Sequence, residues 1–135
     1  MQVDLHKYSE FVQGVTSRDS ENTKDLIDRL HQLQLEGNFN VSLALTAAIG
    51  MAGESGEFSE NFKKVVFHGK PFNEELRAVC VKELGDVIWY WINACRALNL
   101  DPNQVIADNV SKLVSRYPGG KFSVEASENR AADDI

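Results

Sequence analysis

The chain has 135 residues, 43% hydrophobic and 25% charged, which is the size and balance of one globular domain. Its net charge of −6 argues against a nucleic-acid partner, which calls for a basic stripe. A nucleotide stays open, because bound cations reverse the local sign. Residues 41–52 form an apolar run too short for a bilayer, which takes about 20 residues, and residues 1–16 lack the basic and apolar regions of a signal peptide. A cytoplasmic protein without a membrane partner is expected.

Residues 4 to about 14 carry Leu5, Tyr8, Phe11, Val12 and, just beyond, Val15, an apolar stripe of helical period. Turn and cap residues at 17–20 break it. A second helix is expected over 21–36, with Leu26, Ile27, Leu30, Leu33 and Gln34 on one side, stopped by Gly37-Asn38. Asn40 can cap a third, long helix to about Phe67, ended by His68-Gly69-Lys70-Pro71. Asn73 can cap a fourth to about Leu98. Asp101-Pro102, a cap followed by proline at the first helical position, opens a fifth to Arg116, stopped by Pro118-Gly119-Gly120. No stretch alternates strongly enough to require a strand. The fold class expected is all-α, an antiparallel bundle of about four to five helices. Residues 1–120 form one helical domain and 121–135 an irregular tail, with Phe122 and Val124 as its anchors.

Two helical stretches, 41–51 and 84–98, are apolar nearly all round, the second through Trp89, Tyr90, Trp91 and Ile92. A chain of this length cannot cover every face of both, so burial by another subunit is expected. Cys80 and Cys95 fall on one helix about 22 Å apart and cannot bridge each other. They read as reduced, buried, small hydrophobes.

Within these helices stand two acidic pairs, Glu54-Ser55-Gly56-Glu57 and Glu83-Leu84-Gly85-Asp86. Residues three apart share a helix face, about 5–6 Å apart at Cβ. One such pair is common on a solvated face. Here both lie among apolar residues: Val79, Cys80, Val87 and Tyr90 around Glu83, Trp89 and Tyr90 near Asp86, Met51 and Phe58 near Glu54. Packed together, the two helices would aim four carboxylates at one spot. Each pair of like charges repels by about 4 kcal/mol at 4 Å and an effective dielectric near 20. Such a site requires a cation, and oxygen-only ligands favour Mg²⁺ or Mn²⁺. That chemistry suits a phosphorylated substrate.

Gly50, Gly53 and Gly56 recur at every third position beside the first pair, and Gly85 sits inside the second. Each costs about 1 kcal/mol against alanine in a helix interior, so close approach of a backbone or a ligand is expected there. Lys63 and Lys64 follow Glu57 by about two turns. Asn109, Lys112 and Arg116 share a face of the fifth helix and are candidate phosphate contacts. His6 and His31 read as surface residues and His68 as a helix end. None supplies the Glu-x-x-His pair of a di-iron bundle.

Gly53-Glu54-Ser55-Gly56-Glu57, Lys63-Lys64 and the run from Lys82-Glu83-Leu84-Gly85-Asp86 to Val87-Ile88-Trp89-Tyr90 resemble the MazG-like all-α nucleoside triphosphate pyrophosphohydrolases. Their signature is ExxE, a spacer, then ExxD, and the spacer here is 25 residues, at the long end for that family. Asn109 to Leu113 with Arg116-Tyr117-Pro118 resembles the family's third segment, which contributes phosphate contacts. The resemblance covers roughly 42–122 and is nearest to short, phage-encoded members. It implies Mg²⁺ dependence, with Mn²⁺ as a substitute, a homodimer or homotetramer, and conversion of a (deoxy)nucleoside triphosphate to monophosphate and pyrophosphate. It makes Glu54, Glu57, Glu83 and Asp86 metal ligands and catalytic residues, Glu57 also orienting or deprotonating the attacking water. Lys112 and Arg116 would hold phosphate oxygens, with Asn109 and Lys64 as further candidates. The leaning is to dGTP or GTP. Alternatives are a pyrimidine substrate (dCTP or dUTP), a phosphoribosyl-ATP pyrophosphohydrolase, or a non-catalytic metal-stabilised interaction module. A phage-encoded chain would act in the host cytoplasm.

Overall fold

A computed structural model describes residues 4–129. Every regular element among them is helical: α1 (Leu5–Val15), α2 (Arg18–Glu21), α3 (Thr23–Glu36), α4 (Val41–His68), α5 (Glu74–Ala97), α6 (Pro102–Arg116) and α7 (Val124–Glu128). The all-α expectation holds.

The helix starts follow the capping residues. Asn40 accepts from the Leu43 N–H at 3.0 Å, Asn73 from the Leu76 N–H at 3.0 Å and Asp101 from the Asn103 N–H at 2.9 Å, ahead of Pro102. The second expected helix begins later than its apolar pattern suggested. Asn22 accepts from the N–H groups of Lys24 and Asp25, so the helix opens at Thr23, and Glu21 belongs to the separate turn α2. A second difference lies in the tail: Ser123 accepts from the Ala126 N–H at 3.3 Å and caps α7. The ring of Phe122 stands 6.0 Å from that of Tyr117, but both Phe122 and Val124, the expected anchors, are largely exposed. The rest of the expected tail, 130–135, lies outside the described residues.

α4 and α5 are the packed centre of the bundle, and α3 lies on the start of α4. The two long helices run antiparallel. The Asn40 N–H, before α4, donates to the Ala97 carbonyl at the end of α5 at 2.8 Å, while Gly50 meets Tyr90 further along. Asn99 adopts φ 55° just past α5, and the Leu100 N–H returns to the Cys95 carbonyl at 2.9 Å, a left-handed helix stop. The Asn99 side chain donates to the Asn38 carbonyl, tying this end of α5 to the loop before α4. α1 and α6 make only slight contact with the other helices.

The core is thin. Val41, Ala47, Cys80, Asn93, Cys95 and Ala97 are buried, and no large side chain among the described residues is fully enclosed. Asn93 is satisfied by the Trp89 carbonyl and the Arg96 guanidinium. Ile49, Ile88 and Trp89 are exposed by 72%, 57% and 58%, so faces of both long helices are left uncovered in a single chain. The stripe of α1 is likewise exposed. Both cysteines are free and buried. No helix among the described residues is long and apolar enough to cross a membrane.

Candidate functional site

The acidic pairs meet because of how α4 and α5 are aligned. One turn along α4 from Gly50 comes Glu54. One turn back along α5 from Tyr90 comes Asp86. With Gly50 against Tyr90 and the helices antiparallel, both pairs fall at the same level. One carboxylate oxygen each from Glu54, Glu57 and Glu83 lies within 4.8 Å of the others. Asp86 stands outside that trio, although its charge reaches Glu54. Glu54 and Glu83 are half-buried, and Glu57 and Asp86 are exposed.

The electrostatics show a site short of positive charge. The Glu54 carboxyl is pushed above its ordinary value, first by burial, then by the charges of Glu57, Asp86 and Glu83 and a hydrogen bond with Glu83. A divalent ion would relieve this. Oxygens that share a hard cation with bonds of about 2.1 Å stand about 4.2 Å apart at most, and about 3 Å apart in at least two of any three pairs, so the trio would have to close in to hold one. The donor set, all carboxylate oxygen, fits the same class of ion.

Sequence reasoning passed over Glu60. It continues the three-residue spacing of Glu54 and Glu57, which was the signal available. The structure treats it differently from the trio. It pairs with Lys63 and, at 3.6 Å, with Lys64, and the Lys63 hydrogen bond, then the two lysine charges, hold its carboxyl below the ordinary value. Gly53, Gly56, Glu57, Glu60, Asn61 and Lys64 line a shallow depression of about 250 Å³ along this face of α4. Lys64 is thus brought to the edge of the acidic site.

The glycines divide in the same way. A Cβ on Gly50 would fall 2.1 Å from a ring carbon of Tyr90, so close approach is real there. At Gly53, Gly56 and Gly85 nothing stands within 4 Å, so these three leave open space beside the acids and do not mark tight helix contact.

Asn109, Lys112 and Arg116 lie on α6, and the slight packing of that helix leaves them apart from the α4–α5 pair within one chain. Asn109 and Lys112 are exposed. Arg116 is half-buried, its guanidinium 6.0 Å from the Tyr117 ring centre. The histidines follow expectation: His6 and His31 are exposed, and His68 ends α4.

The family model of the MazG nucleotide pyrophosphohydrolase domain matches residues 44–120, which hold both acidic pairs, the depression and α6. No curated protein and no solved structure matches the chain at a significant level. More than half of the sequence lies within that family match, and the match carries the helices that build the site. The chain belongs to the MazG nucleotide pyrophosphohydrolase family.

Proposed function

We propose that this chain hydrolyses a (deoxy)nucleoside triphosphate to the nucleoside monophosphate and pyrophosphate, with Mg²⁺ or, in its place, Mn²⁺. The observation that carries the reading is the trio of carboxylates from two helices, oxygens within 4.8 Å, in a chain of this family. Glu54, Glu57 and Glu83 would hold the cation, with Asp86 completing the set. When bound, the cation supplies positive charge against the phosphate oxygens and makes a nearby water more acidic. Glu57, the exposed member of the trio, orients that water and takes its proton. The water oxygen bonds to phosphorus as the anhydride bond between the α and β phosphates breaks, and pyrophosphate leaves as an anion. Lys64 meets its charge from α4. Lys112 and Arg116, with Asn109, do so from α6 once that helix, or its copy in a second subunit, faces the site. Catalysis is then positioning and electrostatics.

A homodimer or homotetramer accompanies this reading, supported by the uncovered Ile49, Ile88 and Trp89. Two free, buried cysteines suit a reducing compartment such as the cytoplasm. dGTP is the leading substrate, on resemblance to phage-encoded members. The test is a panel of nucleoside triphosphates incubated with Mg²⁺ and separated by chromatography. Monophosphate plus pyrophosphate is expected. Diphosphate plus orthophosphate overturns the reaction, and a strong pyrimidine preference overturns only the choice of base.

A further inference from the structure

Glu60 has a different task from the acids that precede it. One of its oxygens is taken by Lys63 and the other faces Lys64 at 3.6 Å. The same Glu60 and Lys64 line the depression beside Glu57, and its glycine positions, Gly53 and Gly56, have no atom within 4 Å of where a Cβ would stand. Glycine there lets a ligand's oxygens come close to the helix. At about 250 Å³ the depression has room for two linked phosphate groups. It begins at Glu57, a member of the trio, and ends at Lys64, so it leads from the reacting end of a polyphosphate towards a cation.

We propose that this trough receives the pyrophosphate portion of the substrate, and that Glu60 is a positioning residue that holds Lys64 at its edge and competes with pyrophosphate for it. The inference rests on the triphosphate reading above. A lysine–carboxylate pair 3.6 Å apart and still partly in solvent is weak, and a phosphate carrying more charge displaces the carboxylate. Lys63 remains on Glu60 during the exchange, so Glu60 is not left without a counter-charge. As pyrophosphate departs, Glu60 takes Lys64 back. Glu60 thereby favours product release at some expense of product affinity.

The experiment is calorimetric titration of the full chain with inorganic pyrophosphate in the presence of Mg²⁺, together with pyrophosphate inhibition of nucleotide turnover. Lys64→Ala weakens pyrophosphate binding by about tenfold, the loss of one charge-assisted contact, and Lys64→Arg largely restores it. Glu60→Gln acts in the opposite direction and tightens pyrophosphate binding several-fold. In the Lys64→Ala background Glu60→Gln changes nothing. A merely structural role for Glu60 gives no such opposite signs. The proposal is overturned if Glu60→Gln weakens binding as Lys64→Ala does, if neither substitution matters, or if the parent binds no pyrophosphate. Turnover of nucleotides by the same parent preparation separates the two levels. An active parent whose pyrophosphate binding ignores both residues removes this role and leaves the reaction standing. A parent that hydrolyses no nucleotide removes the reaction, and the pyrophosphate titration still judges the trough.

Discussion

The ring of Tyr90 lies so close to Gly50 that a Cβ on residue 50 would stand 2.1 Å from Cε1. Only glycine allows α4 and α5 to approach at this level, and one turn on, the same approach brings Glu54 to Glu83 and Asp86. The glycine is therefore a spacing device for the acidic site.

Gly50→Ala accordingly tests the alignment. Alanine gains about 1 kcal/mol of helix preference, but overpacking against the ring costs about 1–3 kcal/mol. Net destabilisation is expected, together with weaker divalent-ion binding, because the helices part near Glu54. Gly56→Ala is the control: with no atom near its Cβ position it gains helix preference and raises the melting temperature. Thermal melts of both variants decide this. Equal stabilisation by the two substitutions would remove Gly50 from the alignment argument.

Metal dependence can be read through pH. Glu54 has a folded-state pKa above its ordinary 4.5, so the folded, metal-free protein holds that proton more tightly than the unfolded chain does. By linkage, the contribution of Glu54 to stability is greatest at acid pH and falls as pH rises from 4.5 through the raised value. Mg²⁺ should cancel the fall, since it takes the place of the proton, and its affinity should drop as pH is lowered through the same window. Denaturant unfolding between pH 4 and pH 7, roughly the span in which carboxylates titrate, measures this with and without Mg²⁺. Glu54→Gln should flatten the metal-free profile relative to the parent. Separately, Glu57→Gln and Asp86→Asn should weaken metal binding and lower turnover by about a hundredfold or more. Parent-like metal binding and turnover in both variants would remove the central claim.

Much of this arrangement was legible in the residues. Asn40, Asn73 and Asp101-Pro102 mark helix starts because a side-chain oxygen on an N–H is a local event that needs no tertiary contact. The two acidic pairs were legible because carboxylates among apolar neighbours require a reason. Three features depended on packing and were not visible. Gly50, Gly53 and Gly56 look alike in sequence, and only the position of Tyr90 separates the first from the others. Glu60 shares the spacing of Glu54 and Glu57 but is matched by Lys63 and Lys64, a distinction set by side-chain geometry. The slight packing of α6 is a matter of long-range contact that its own amphipathic pattern does not encode.

That slight packing gives α6 a clean test. Lys112→Ala should shift stability by no more than about 0.5 kcal/mol, the usual effect of surface substitutions, and Arg116→Ala by somewhat more, because its half-buried guanidinium stands over the Tyr117 ring, a contact worth about 0.5–1 kcal/mol. If the two residues hold phosphate oxygens, each change should still reduce turnover, by an amount corresponding to about 1.5–3 kcal/mol for a charge-assisted contact. Circular dichroism and steady-state kinetics on the same samples separate the two effects. Parent-like kinetics in both variants would remove these residues from phosphate binding.

The exposed apolar faces of α4 and α5 supply the last prediction. Trp89 is 58% exposed although its ring packs edge-on against Tyr90 at 4.8 Å, so one side of the indole is held in place and the other is free for contact. Ile88 and Ile49 extend the uncovered apolar surface on the two helices. A second copy covering these residues would remove apolar area from water at about 25 cal/mol per Å², and tryptophan is a favoured anchor at the centre of such an interface. Sedimentation at micromolar concentration should therefore show a dimer or tetramer. Trp89→Glu should shift the chain towards monomer without dissolving its helices, because the substituted side chain points a charge into the proposed contact and not into the core of Val41, Ala47 and Cys95. If α6 of one subunit serves the acidic site of the other, turnover should fall as the protein is diluted through its dissociation range, and the variant should be impaired at every concentration. A parent that sediments as a monomer and keeps full activity on dilution would mean that one chain completes the site by itself.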